Sequence, residues 1–186
     1  MRFLVRLVPL GWGRAAFLAA VRSVAANLGA SAVNPKWTSY GALEIDVFAP
    51  SREDFRVVMA ALEPLCGVEF TTDLQAPPRF VPRDDAVREA VSLFDAERFW
   101  EAHEVLEAQW RASEGDEKRL LQGLILVCAA LVHHQKGEEK VALGIVQRAL
   151  PLLAWEGGMY HRIDVPALGE RLSRELGTGS LSLFEI

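Results

Sequence analysis

The side chains best suited to chemistry in this chain lie within one short stretch, Phe99-Trp100-Glu101-Ala102-His103-Glu104-Val105-Leu106-Glu107-Ala108-Gln109-Trp110. No Gly or Pro interrupts it, and most of its residues enter a helix at little cost. At about 100° per residue, Trp100, His103, Glu107 and Trp110 share one stripe. A histidine and a carboxylate four residues apart on one helix face can hold a divalent metal between them. His103 and Glu107 would then be the ligands. Glu104 would be the base that takes a proton from metal-bound water, which describes a metal-assisted hydrolase.

Two other readings use the same residues. In an antiparallel helix pair, residues equally far from the turn lie level, which sets Glu107 opposite Gln122, the uncharged polar residue deep in an otherwise apolar segment. His103, Glu107 and Gln122 would then form a buried polar network that fixes helix register, since buried polar groups are normally paired. Alternatively, these residues and His133 line a small-molecule pocket walled by Trp100 and Trp110. Binding or structural work is the first expectation, and metal-assisted hydrolysis the second. The zincin pattern has a second His where Glu107 stands, and the doubled Glu-x-x-His of di-iron bundles is absent. Gly11-Trp12-Gly13 meets no phosphate-loop or dinucleotide pattern, and there is no Gly-x-Ser-x-Gly elbow. His133-His134 sit near a helix end, and Tyr160-His161-Arg162 follow a Gly-Gly turn.

These residues need helices to position them. Val87, Ala90, Val91 and Phe94 mark a helix capped by Asp84 or Asp85. A bend over 95–98 leads into the motif helix, which runs to about Arg111. The short turn 112–116 folds the next helix back antiparallel. That helix, Glu117 to about Gln135, is apolar all round and so central to its domain. Lys140 to about Trp155 is another helix, kinked by Pro151, and Asp164-Val165-Pro166 starts a last one ending at Gly177.

Upstream, the periods alternate between 2 and 3.6. Residues 1–8 read as a strand, with Phe3, Val5 and Leu7 on one side and Arg2 and Arg6 on the other. Phe17, Val21, Val24 and Leu28 make a helical stripe. Ala32 to Trp37 is an edge strand interrupted by Pro35. Leu43, Ile45 and Val47 alternate with Glu44 and Asp46. Ser51 caps a helix with Phe55, Val58, Met59 and Leu62 inward, and Val68 and Phe70 end the set. This strand-helix-strand-strand-helix-strand order is the ferredoxin-like split βαβ plan. It predicts Arg2 and Arg6 opposite Glu44 and Asp46 on a solvated sheet face. Pro77, Pro78 and Pro82 stiffen the junction. The expected organisation is therefore α+β: a ferredoxin-like domain over 1–74, a Pro-rich linker over 75–83 and an all-α helical bundle over 84–186.

Composition narrows the function classes. The chain of 186 residues is 51% hydrophobic with a net charge of −5, which fits packed domains rather than disorder. The first 80 residues carry 8 basic and 7 acidic side chains, and the remainder 12 and 18. With no basic block, a nucleic-acid partner is not expected. No apolar run reaches membrane-spanning length, and the first residues lack a signal-peptide layout. Cys66 and Cys128 stand alone, as reduced core thiols do in a cytoplasmic protein. The N-terminal sheet is the expected contact if the chain forms an oligomer.

The run Phe94-Asp95-Ala96-Glu97-Arg98-Phe99-Trp100-Glu101-Ala102-His103-Glu104-Val105-Leu106-Glu107, with Trp110, Leu121-Gln122-Gly123-Leu124-Ile125 and His133, resembles the signature of the domain-of-unknown-function family numbered 309. The likeness covers about residues 85–155. It implies a small helical domain there and points to Glu101, His103, Glu104, Glu107, Trp110, Gln122 and His133. It implies no activity.

Overall fold

The computed structural model describes residues 1–76 and 81–186. Pro77 and Pro78 of the expected linker lie outside the described residues. The chain divides into two compact units, Met1–Arg79 and Phe80–Ile186.

In the first unit β1 (Arg2–Pro9), α1 (Arg14–Asn27), β2 (Ser31–Trp37), β3 (Leu43–Phe48), α2 (Arg52–Leu62) and β4 (Cys66–Asp73) follow in order. The sheet order is β2-β3-β1-β4, with every pairing antiparallel. That is the split βαβ arrangement, β1 and β3 at its centre. Alternation puts Phe3, Val5, Leu7, Leu43, Ile45 and Val47 on the face that packs with Phe17 and Val21 of α1 and Phe55 and Val58 of α2. Ser51 caps α2 by accepting from the Asp54 N–H at 3.1 Å. β2 is an edge strand, and its register slips between Val33 and Lys36. Asn34 takes φ 55° there, beside Pro35, which has no N–H to give a ladder.

The opposite sheet face departs from expectation. Arg6 and Glu44 are paired directly in register and bridge at 2.8 Å, with side-chain exposures of 2% and 1%. Lys36 also reaches Glu44, and Arg2 and Asn34 both reach Asp46. This ionic face is thus largely buried rather than solvated. Arg6 stacks over Phe70 and donates to the Tyr40 hydroxyl. Long side chains lying across a central strand shield one another. Such charges persist only with close partners, because an unpaired buried ion is expensive.

The second unit contains α3 (Arg83–Asp95), α4 (Phe99–Arg111), α5 (Gly115–Gln135), α6 (Glu139–Ala149), a 3-10 turn (Leu150–Leu153), a two-residue hairpin β5 (Met159–Tyr160) and β6 (Ile163–Asp164), and α7 (Val165–Thr178). α5 is central, packing against α4, α6 and the 3-10 turn, as its all-round apolarity requires. Three boundaries differ from the sequence reading. Pro82, not an Asp, stands at the start of α3, with Asp84 and Asp85 in the first turn. Pro151 ends α6 and opens the 3-10 turn instead of kinking a longer helix, because it cannot supply an N–H within a helix. α7 runs past Gly177 and stops at Gly179, whose φ of 72° is the left-handed C-cap conformation. Among the described residues no helix is long and apolar enough to cross a membrane.

Candidate functional site

α4 buries Phe99, Ala102 and Leu106. The stripe of Trp100, His103, Glu107 and Trp110 lies one position round from that line, and all four residues are half-buried. A site fully inside the bundle, as expected, is therefore not what forms. One residue of rotation is about 100°, which moves the stripe from the helix's inward face to its rim. The sequence signal was ambiguous there, because Val105 and Leu106 flank the stripe on both sides and either could have marked the core.

At this rim His103, Glu104 and Glu107 come together. One potential ligand atom from each lies within 4.8 Å of the others. Their side-chain exposures are 21%, 52% and 31%. His103 Nδ1 is 3.5 Å from Glu104 Oε1. It is shielded from solvent and makes no hydrogen bond among the described residues. Two donors about 2.1 Å from one ion at a tetrahedral angle stand roughly 3.4 Å apart, so this pair already has the spacing of two ligands on one tetrahedral ion. The wider separations need a carboxylate to change rotamer. Glu107 has one oxygen engaged by Arg111 at 2.7 Å; a carboxylate has a second oxygen to offer.

The rest of the motif orients this cluster. Trp100 stacks parallel on the His103 ring, centroids 5.5 Å apart and planes 6° apart. Glu101 forms a two-pronged pair with Arg98, both contacts at 2.6 Å, which ties the first turn of α4 to the bend. Trp110 lies under the Lys118 ammonium, 4.8 Å from the ring centroid. Both indole faces so described are engaged by the chain's own side chains. Gln122 is half-buried, and among the described residues it makes no hydrogen bond to Glu107. The expected amide–carboxylate network is not formed, because Glu107 turns to Arg111 on its own helix. His133 belongs to another group: it pairs with Glu138, while His134 Nδ1 contacts Glu139 Oε2 at 2.5 Å. Both pairs sit where α5 meets α6.

Sequence reasoning missed two positions. The buried polar residue of α5 is Gln135, whose Nε2 donates to the Glu97 carbonyl at 3.1 Å. Glu97 itself holds φ 56°. A second missed cluster, at the C-terminal end of α4, joins Tyr160, which donates to Glu117 at 3.0 Å, and Arg83, which bridges Glu117 and Ser113. Burial and the neighbouring Glu117 carboxylate push the Tyr160 phenol up. Cys128 is buried and its thiol is pushed up to about 12 by burial, which leaves it inert as a nucleophile.

The family described as Domain of unknown function (DUF309) matches residues 87–145. No curated protein matches the chain. Among solved structures, a conserved hypothetical protein from Thermus thermophilus is 35% identical; the alignment covers 53% of this chain and 99% of that chain, with a TM-score of 0.43. The match to the family spans α4 and α5 whole and leaves the first unit outside it.

Proposed function

On the geometry of α4, within the stretch 87–145 that matches the family described as Domain of unknown function (DUF309), we propose that the helical unit binds a divalent cation at the rim of α4, with His103, Glu104 and Glu107 as the ligands. The observation that carries the reading is the shielded His103 Nδ1, which lacks a hydrogen bond and stands from a carboxylate at the spacing of two tetrahedral ligands. A nitrogen with two carboxylates suits zinc, manganese or iron(II). Glu107 would present the oxygen that Arg111 leaves, and Trp100 would hold the imidazole plane. Water would fill the remaining positions. Hydrolysis with Glu104 as base is a second reading, favoured by its being the most exposed of the three.

Elemental analysis of the full chain, purified without chelator, tests the proposal together with thermal melting. Near-stoichiometric metal is expected. Added zinc or manganese at a hundredfold excess over Kd should stabilise the helical unit by roughly 2.7 kcal/mol. His103→Ala should abolish the gain, and His133→Ala should keep it. Metal-free protein whose melting is unmoved by these ions contradicts the proposal.

A further inference from the structure

The cluster at the α4 rim has neighbours on α5. Lys118 holds its ammonium over Trp110, and this contact fixes the register of the antiparallel pair at that end. From Lys118 the half-buried residues of α5 recur as Gln122, Leu126 and Ala129, a spacing of four, four and three that keeps them on one helix face. Trp110, Glu107, His103 and Trp100 recur in the same way on α4. One turn back along α4 is one turn forward along α5, so Glu107 lies level with Gln122 and His103 with Leu126. The two half-buried stripes border the same strip of surface, closed at one end by the Trp110–Lys118 contact.

Charge decides what this strip can hold once a cation is in place. The carboxylates of Glu104 and Glu107 cancel a divalent ion. Two cations at the Glu107 end are then left over. Arg111 gives Glu107 only Nη2, at 2.7 Å, and the rest of its guanidinium fork is open. Lys118 touches the Trp110 ring and has no carboxylate partner among the described residues. The nearby carboxylates of Glu101 and Glu117 are already paired, with Arg98 and Arg83. The loaded site therefore carries two positive charges in excess, each about one helical turn from Glu107. A dianion with both charges on one head answers that excess. A monoanion leaves one cation unpaired, and a dicarboxylate spreads its charges apart. A guanidinium fork, an ammonium and a metal ion are the groups with which phosphate oxygens pair.

Resting on the cation reading above, we propose that the loaded α4 rim binds a phosphate monoester. One phosphate oxygen takes the place of water on the ion, and Arg111 and Lys118 pair with the others. The Gln122 side-chain amide, level with Glu107, donates to the same head. The organic remainder of the ester lies along Leu126 and Ala129, the apolar part of the strip, and this is what distinguishes an ester from free phosphate.

The test is isothermal titration calorimetry with phenyl phosphate on the full chain loaded with one equivalent of zinc. One phenyl phosphate per chain should bind, and none to the same protein stripped with chelator. Lys118→Gln should weaken binding about tenfold and Lys118→Arg should restore it, with zinc content at one per chain in both. Parental affinity in Lys118→Gln overturns the proposal. If that variant loses its helical circular dichroism, the parent with and without zinc decides. Acetate should bind at least about tenfold more weakly than phenyl phosphate, and inorganic phosphate more weakly too, having nothing to lay on Leu126 and Ala129. Acetate that binds as tightly overturns the charge argument. Inorganic phosphate that binds as tightly makes free phosphate the ligand and overturns the ester. Zinc-loaded protein that does not bind phenyl phosphate, or binds it equally without zinc, overturns this inference and leaves the cation site standing. A chain that takes up no zinc overturns both.

Discussion

Glu97 and Glu139 show how single residues set the frame around the cluster. α3 ends with the Glu97 N–H bonded to the Phe94 carbonyl and the Arg98 N–H to the Leu93 carbonyl, the paired bonds of a Schellman cap. α5 ends the same way, with Gly137 at φ 77° in the equivalent position. A left-handed conformation costs a non-glycine residue roughly 1–2 kcal/mol. Glu97→Gly should therefore raise stability by about 1 kcal/mol, seen as a higher urea midpoint with unchanged slope; a lower midpoint would show that the Glu97 side chain itself contributes. Glu139 is tuned by competing causes. Burial pushes its carboxyl up, but the Leu181 N–H and the His134 imidazole outweigh burial and leave it below its ordinary value of 4.5. A carboxylate depressed in the folded state contributes stability that is present above the unfolded value and lost as pH falls through the folded one. Protection of the Leu181 amide against hydrogen exchange should hold at neutral pH and fade only below about pH 4.5, whereas protection that is flat down to the acid unfolding of the whole unit would remove Glu139 as the clip. His103, Glu104 and Glu107 were legible as a chemical set because the i, i+4 spacing alone puts an imidazole and a carboxylate side by side. Glu97 was not, because a Glu carries no sign of the left-handed backbone it occupies.

At the scale of elements, glycine in the Gln122-Gly123 pair is explained by packing. A Cβ on Gly123 would meet Leu153 Cδ2 at 2.9 Å and the Leu152 Cβ and carbonyl carbon at 3.1 and 3.2 Å. The 3-10 turn lies that close to α5, and its backbone cannot move aside without shifting Pro151. Gly123→Ala should cost roughly 1–3 kcal/mol despite the better helix propensity of Ala, measured by chemical denaturation. A neutral or stabilising effect would mean the turn gives way freely. The sequence carried the element types well, since hydrophobic period separates the strands of the first unit from the helices of the second. It did not carry the rotation of α4. Trp100 and Trp110 were expected to wall a pocket on the inward stripe, yet it is Phe99, Ala102 and Leu106 that face inward. Tertiary packing chose between two adjacent apolar lines, and nothing in the period of α4 distinguishes them. The hairpin β5–β6 was also invisible, because two residues per strand leave no period to read.

As a whole molecule, the chain is two units, each with its own core, and the chemistry proposed here belongs to the second. The acidic excess after residue 80 was visible as a net balance, but its use was not. In three dimensions its carboxylates do separate jobs: Glu101 braces the bend, Glu117 anchors the Tyr160 hairpin, Asp95 and Glu139 clip segment 180–186, and Glu104 and Glu107 stand with His103. In the first unit the charges form a buried ladder through Arg6, Glu44 and Lys36, where one-sided burial of an antiparallel sheet had suggested solvated pairs. Length of side chain decides this, since Arg and Lys cover their own partners. The reading of the α4 rim as a cation site is tested most directly by cobalt(II), whose visible d–d bands report its ligands. Titration of the full chain should give bands that saturate at one cobalt per chain, are displaced by zinc, and vanish in His103→Ala but persist in His133→Ala. A spectrum indistinguishable from cobalt in buffer, or one that His103→Ala leaves unaltered, would contradict the account.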